Sequence, residues 1–160
     1  MQPKTARIGA VGLGGESVFL TADHFHAPGE TLCAESIFIE PGGKAYNQAV
    51  AAARLGAQVC FFGAVGSDSG GALCRDVLIK EGVTPILQTV PEANTAYACI
   101  LTDRRGENQV TVYRGAADSL SADFLRAQEA VPEGLGRAVA VEDARGQELL
   151  IADAALAFEG

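Results

Sequence analysis

Residues 41–65 constrain the fold more than any other stretch. Lys44 to Leu55 (K-A-Y-N-Q-A-V-A-A-A-R-L) is rich in alanine and holds no glycine or proline; Gly42-Gly43 precede it and Gly56 follows it. Alanine has the highest helix propensity, and glycine fits best just past a helix end, so the segment predicts a helix over 44–55. Two residues later comes Gln58 to Val65 (Q-V-C-F-F-G-A-V), an apolar run of strand length without polar alternation. A strand with no polar face suits a sheet covered on both faces. Helix and doubly covered strand together point to an α/β chain with a parallel sheet.

The rest of the chain extends that alternation. Arg7 to Leu13 reads as a first strand running into a glycine turn at 12–15. Gly70 to Glu81 reads as a second helix closed by Gly82, and Thr84 to Val90 as a further strand. Leu120 to Val131 reads as a helix with Ser119 or Ser121 near its cap. Four short strands fall outside the alternation: Ser17 to Leu20, Thr31 to Glu40, and the pair Ala96 to Asp103 and Asn108 to Arg114 joined by Arg104-Arg105-Gly106-Glu107. These are expected to form a small β flap on the main layer. From Val131 onward the chain changes character: six acidic residues stand against two arginines there, half of the total net charge of −8. Within this tail, Ala138 to Val141 and Leu149 to Ile151 read as two strands and Asp153 to Phe158 as a helical end.

Composition narrows the function classes. The 160 residues amount to one ordinary domain, and 48% hydrophobic content is enough to bury a core. Twelve Lys and Arg against twenty Asp and Glu, with no basic block, argue against nucleic-acid binding, which needs clustered cations to neutralise phosphates. No apolar run reaches the 18 or so residues of a membrane span, and no apolar segment follows Lys4 and Arg7 to make a secretory signal. Cys33, Cys60, Cys74 and Cys99 form no C-x-x-C pair and read as reduced, buried residues of a cytoplasmic protein.

Gly42-Gly43-Lys44 with Asn47 is the most informative cluster. Two glycines ahead of a helix let backbone approach a ligand, and the unpaired amides of a helix start point at acceptor oxygens. Lys44 and Asn47, three apart, share one face of the first turn. The set offers backbone donors, one cation and one amide to a polyhydroxylated or anionic ligand; it is equally the sequence of a plain turn and helix start. Gly12-Leu13-Gly14-Gly15 does not complete G-x-G-x-x-G and no helix follows it, so a dinucleotide fingerprint is rejected; a P-loop is absent too. Asp23, His24 and His26 lack a further clustered ligand and read as a solvated loop, so no metal site is assigned.

Several ordered segments resemble the ribokinase (PfkB-type) carbohydrate kinases. Pro41 to Ala57 (P-G-G-K-A-Y-N-Q-A-V-A-A-A-R-L-G-A) is similar to the family's first signature. Pro28-Gly29-Glu30-Thr31 resembles its P-G-E-T turn, and Phe62-Gly63-Ala64-Val65-Gly66-Ser67-Asp68 its F-x-G-x-V-G-x-D segment. Glu81-Gly82-Val83 resembles its E-G-V helix end; Gly106-Glu107-Asn108 and Gly115-Ala116-Ala117 resemble G-E-N and G-A-N. The resemblance runs from about Arg7 to Ala130. It implies an α/β, ribokinase-like parallel sheet flanked by helices with a small β lid, incomplete at the C-terminal side. Residues 1–130 would be the N-terminal part of that domain, with lid strands near 16–40 and 95–114, and residues 131–160 a divergent acidic tail. It implies ATP-dependent phosphoryl transfer, with Mg²⁺, to a sugar hydroxyl. Gly42, Gly43, Lys44 and Asn47 would hold substrate hydroxyls, and the lid would pair two chains into a homodimer.

Three departures accompany the resemblance. The family's Asn-x-Asp after the first strand falls on Gly15 and Ser17, with Glu16 between them as a substitute carboxylate; Ser17 and Glu16 therefore join the candidate substrate residues. The Asn of G-A-N is Ala117. The G-A-G-D segment that carries the family's general-base Asp does not occur in the chain, so no catalytic residue is assigned. The resemblance then implies a sugar kinase's substrate-side portion, inactive alone; the alternative is a non-catalytic module that binds a small polyol or dimerises.

Overall fold

A computed structural model describes residues 6–128, 137–142 and 148–149. In chain order the elements are β1 (Arg7–Val11), β2 (Gly15–Thr21), β3 (Ser36–Gly42), α1 (Lys44–Arg54), β4 (Gln58–Val65), α2 (Ser69–Lys80), β5 (Val83–Thr89), β6 (Ala96–Thr102), β7 (Asn108–Tyr113), α3 (Ala122–Arg126), β8 (Arg137–Glu142) and β9 (Glu148–Leu149). A 3-10 turn at Gly115–Ser119 precedes α3.

The strands form two sheets. The larger has the order β5-β4-β1-β8-β9, parallel throughout except for the β8–β9 pair. Every residue of β4 after Gln58 is buried, as its unbroken apolar run requires of a strand between two neighbours and under a helix. The smaller sheet has the order β3-β2-β6-β7, with β2 and β6 parallel and both outer pairs antiparallel. The flap expected from the short strands is this second sheet.

Helix α1 turns Ala45, Tyr46 and Ala49 onto the large sheet. Tyr46 meets Phe61 of β4 edge-on at 5.4 Å between ring centroids, and its hydroxyl donates to the Cys74 carbonyl of α2 at 3.0 Å. One aromatic thus ties both helices to the sheet, with its polar end satisfied. The end of α1 is a Schellman arrangement: Gly56 N–H donates to the Ala53 carbonyl at 2.9 Å and Ala57 N–H to that of Ala52 at 3.1 Å.

Some boundaries differ from expectation. β3 begins at Ser36 rather than Thr31, because its partner β2 ends at Thr21 and the register pairs Thr21 with Ser36. Cys33 falls in the segment thereby left outside the sheet and is exposed, whereas Cys60 and Cys74 are buried as expected. The helix expected over 120–131 is shorter: Ser121 accepts from Phe124 N–H at 3.0 Å, capping a helix that ends at Arg126. Residues 129–131 of that expectation, the end of the strand expected at 149–151 and the helical end expected at 153–158 lie outside the described residues. The strand expected at 138–141 is β8, which lies beside β1 on the side away from β4. No helix among the described residues is long and apolar enough to cross a membrane.

Candidate substrate site

The site forms where the two sheets meet. β3 ends at Gly42, and Gly43 turns the chain into α1 with φ +124° and ψ +148°, a conformation open essentially to glycine alone. A Cβ on Gly43 would stand 2.3 Å from the Leu13 carbonyl oxygen, and one on Gly42 would stand 2.8 Å from the Ser17 hydroxyl oxygen. Gly43 is therefore required by close approach to the backbone that leads from β1 into β2, whereas at Gly42 the neighbour is a serine hydroxyl that can rotate aside.

No side chain caps the start of α1, and its first turn carries no acidic residue. A helix start without a side-chain cap is a place where an oxygen from outside the helix can accept from backbone amides. Lys44 and Asn47 are both exposed and share the outward face of the first turn. Asn47 lines a cavity of about 470 Å³ together with Glu40, Pro41, Arg54 and Glu81. Arg54 closes one end of it through a two-pronged pair with Glu81, at 2.7 and 2.8 Å.

Strand alternation separates the two remaining candidates. Ser17 lies on the face of β2 that carries Gly15, beside Gly42, while Glu16 points to the opposite face. Glu16 lines a different cavity, of about 380 Å³, with Asp68, Asn94, Thr95, Tyr97 and Tyr113. The structure thus brings Ser17, Gly42 and Gly43 together and sets Glu16 apart from them. Across the register, Ser17 stands opposite Ala98 of β6, which stands opposite Val112 of β7. Ala98 and Val112 therefore line the same face, a placement visible only once strands distant in sequence are paired.

Asp68 holds the neighbouring corner. Its carboxylate accepts from Gly71 N–H at 2.9 Å, from Thr95 N–H at 2.8 Å and from the Thr95 hydroxyl at 2.5 Å. Thr95 Oγ1 in turn accepts from Gly66 N–H at 2.9 Å. Partial burial disfavours the Asp68 charge, but the bonds from Thr95 and Gly71 outweigh it and hold the carboxyl below its ordinary range. This network fastens the start of α2 to the start of β6, and so one sheet to the other. The sequence marked Asp68 within a motif without assigning it this work; an aspartate ahead of Ser69-Gly70-Gly71 is the signal of a helix cap.

Among the described residues no group of three His, Cys, Asp or Glu side chains converges to hold a metal ion. His24 and His26 are exposed, in the loop between β2 and β3. Asp68 uses three of its acceptor positions within the fold: Oδ1 toward Gly71 N–H and the Thr95 hydroxyl, and Oδ2 toward Thr95 N–H.

Comparison with known proteins agrees with this architecture. Residues 16–134 match the pfkB family carbohydrate kinase model. A ribokinase of Haemophilus influenzae is 40% identical over 112 residues, covering 69% of this chain and 37% of the relative. Among solved structures, the ribokinase of Giardia lamblia superposes with a TM-score of 0.70 at 27% identity, over 76% of this chain and 37% of that one. The ribokinase of Cryptococcus neoformans var. grubii, solved with ADP, gives a TM-score of 0.59 at 34% identity, over 70% of this chain and 35% of that one. The chain spans well under half the length of these relatives. With its ribokinase-like α/β fold, the chain belongs to the pfkB family of carbohydrate kinases.

Proposed function

We propose that the chain is the substrate-side part of an ATP-dependent sugar kinase, and that these 160 residues alone bind a sugar without phosphorylating it. The carrying observation is the junction of Gly42 and Gly43 with Ser17 at the uncapped start of α1. Sugar hydroxyls would accept from the first-turn amides of α1 and from Lys44, and would exchange hydrogen bonds with Asn47 and Ser17. The small sheet, residues near 16–40 and 95–114, is the lid in this reading. Its Ser17 face continues into a row of Phe38, Phe19, Ile100 and Val110, which supplies an apolar wall against water. Phosphoryl transfer depends on positioning and exclusion of water more than on covalent help, so such a wall suits the chemistry. Residues 1–130 then form the kinase part and 131–160 a divergent acidic tail. ATP with Mg²⁺ is the phosphoryl source in this reading, and the absence of G-A-G-D from the sequence supports inactivity of the chain alone. A cytoplasmic setting fits four cysteines that are all unbonded.

The test is a phosphorylation assay with ATP, Mg²⁺ and a panel of pentoses and hexoses, run beside calorimetric titration with D-ribose. The expected result is no turnover, together with saturable binding that Asn47→Ala weakens. Turnover abolished by Asn47→Ala would overturn the inactivity.

The alternative, a non-catalytic dimerising module, is favoured by one observation. Phe38 is 58% exposed and Val110 53%, at opposite edges of the small sheet. A second copy placing its own small sheet there would bury that row.

A further inference from the structure

We propose that Glu40 is the carboxylate that grips the sugar, a role the sequence left to Glu16; the inference rests on the substrate-side reading above. Glu40 lies directly opposite Ser17 in the antiparallel β2–β3 pair, two residues before Gly42 on the same strand. Directly opposed residues have Cβ atoms about 5 Å apart and project from the same face. Glu40, Ser17 and Gly42 therefore share one face at the sheet junction; the cavity at Asn47 is lined by Ile39 and Pro41, which alternate to the other face of β3.

The other carboxylates nearby are placed elsewhere or occupied. Glu16 points to the opposite face of β2. Asp68 is engaged by Thr95 and Gly71 through three hydrogen bonds. Glu81, at the far end of the Asn47 cavity, is held by both prongs of Arg54. Glu40 is exposed, and among the described residues it makes no hydrogen bond or ion pair.

The pairing of groups defines the ligand. A carboxylate accepts through two oxygens, and a hydroxyl both donates and accepts, so Glu40 and Ser17, opposite each other, together match adjacent hydroxyls of a neutral polyol. A sugar already carrying a phosphate would meet the Glu40 charge and be disfavoured. The site thus selects an unphosphorylated sugar with a vicinal diol.

The experiment titrates the full 160-residue chain with D-ribose, 2-deoxy-D-ribose, 3-deoxy-D-ribose and D-ribose 5-phosphate by calorimetry, with circular dichroism to confirm folding. Glu40→Gln is expected to weaken D-ribose binding by roughly tenfold or more, as for loss of a charged acceptor. That loss is expected to shrink to under about twofold for the deoxy sugar lacking the gripped hydroxyl, as double-mutant logic requires. Glu40→Gln is also expected to narrow the gap between D-ribose and its 5-phosphate. If Asn47→Ala weakens D-ribose while Glu40→Gln does not, Glu40 has no such role although the site stands. Equal losses on every sugar would make Glu40 merely structural and overturn the inference. Failure of the folded wild-type chain to bind D-ribose at all would overturn the substrate-side reading and the inference with it.

Discussion

At Gly43 two separate constraints coincide: a backbone conformation foreign to L side chains and a carbonyl oxygen where a Cβ would stand. Gly43→Ala is expected to cost about 2–3 kcal/mol, read as a lower urea midpoint with an unchanged slope. Asp68 is the other residue on which the junction depends. Its folded pKa lies below the ordinary value of 3.8, so its contribution is complete above that value and is lost as pH falls through the folded pKa. Asp68→Ala removes a helix cap worth about 1 kcal/mol and leaves Thr95 N–H without its acceptor. Acid unfolding monitored by circular dichroism should show a shallower pH dependence in that variant than in wild type. The legibility of these residues differs for a physical reason. Gly42, Gly43, Lys44 and Asn47 could be singled out because turn and helix-start chemistry is local. Ser17 and Glu16 could not be separated, because G-E-S-V-F-L does not say which face of β2 is inward. Glu40 escaped notice because its closeness to Ser17 exists only in the register of a pair 23 positions apart.

Among the elements, α1 and β4 were the most legible, since propensity, end glycine and apolar run all agree with the tertiary outcome. The start of β3 was not, because a strand begins where its partner permits. The connection from β2 to β3 shows how a segment outside the sheets is held. Glu30 accepts from Ala27 N–H at 2.8 Å and meets His24 Nε2 at 3.1 Å, while His24 Nδ1 meets Asp23 at 3.3 Å. Arg104, from the β6–β7 turn, bridges Asp23 and Glu35, each at 2.8 Å. A neutral imidazole has one donor and one acceptor; only the imidazolium donates to carboxylates on both sides. Bonds to Glu30 and then Asp23 raise the His24 pKa above 6.5, so the clamp is complete below that value and is released as pH rises through the raised folded pKa. An NMR titration should place the His24 midpoint above 6.5 in wild type and lower it in Glu30→Gln. Limited proteolysis should cut the 22–35 connection faster on the alkaline side of that midpoint.

For the whole molecule, the apolar row on the small sheet is the contact between two copies in the dimerising alternative proposed above. Aromatic and β-branched side chains at both edges leave a face and two strand edges open to pairing. Phe38→Lys and Val110→Lys are each expected to shift sedimentation velocity toward the single-chain species, because a charge there opposes burial of the row. The division into two sheets was legible from strand lengths and the hairpin, whereas their joining through Asp68 and Thr95 required the three-dimensional arrangement.

The position of β1 carries a last consequence. From β1 the chain passes to β4 and β5 on one side, and only later does β8 join on the other. In open α/β sheets the point where strand order reverses leaves a crevice at the carboxyl ends of the adjacent strands, and ligands settle there. Val11 ends β1 at that crevice, and the next residues are those that meet Gly43 and carry Ser17. The winding of the chain thus opens a gap at the place where the glycines bring their backbone closest.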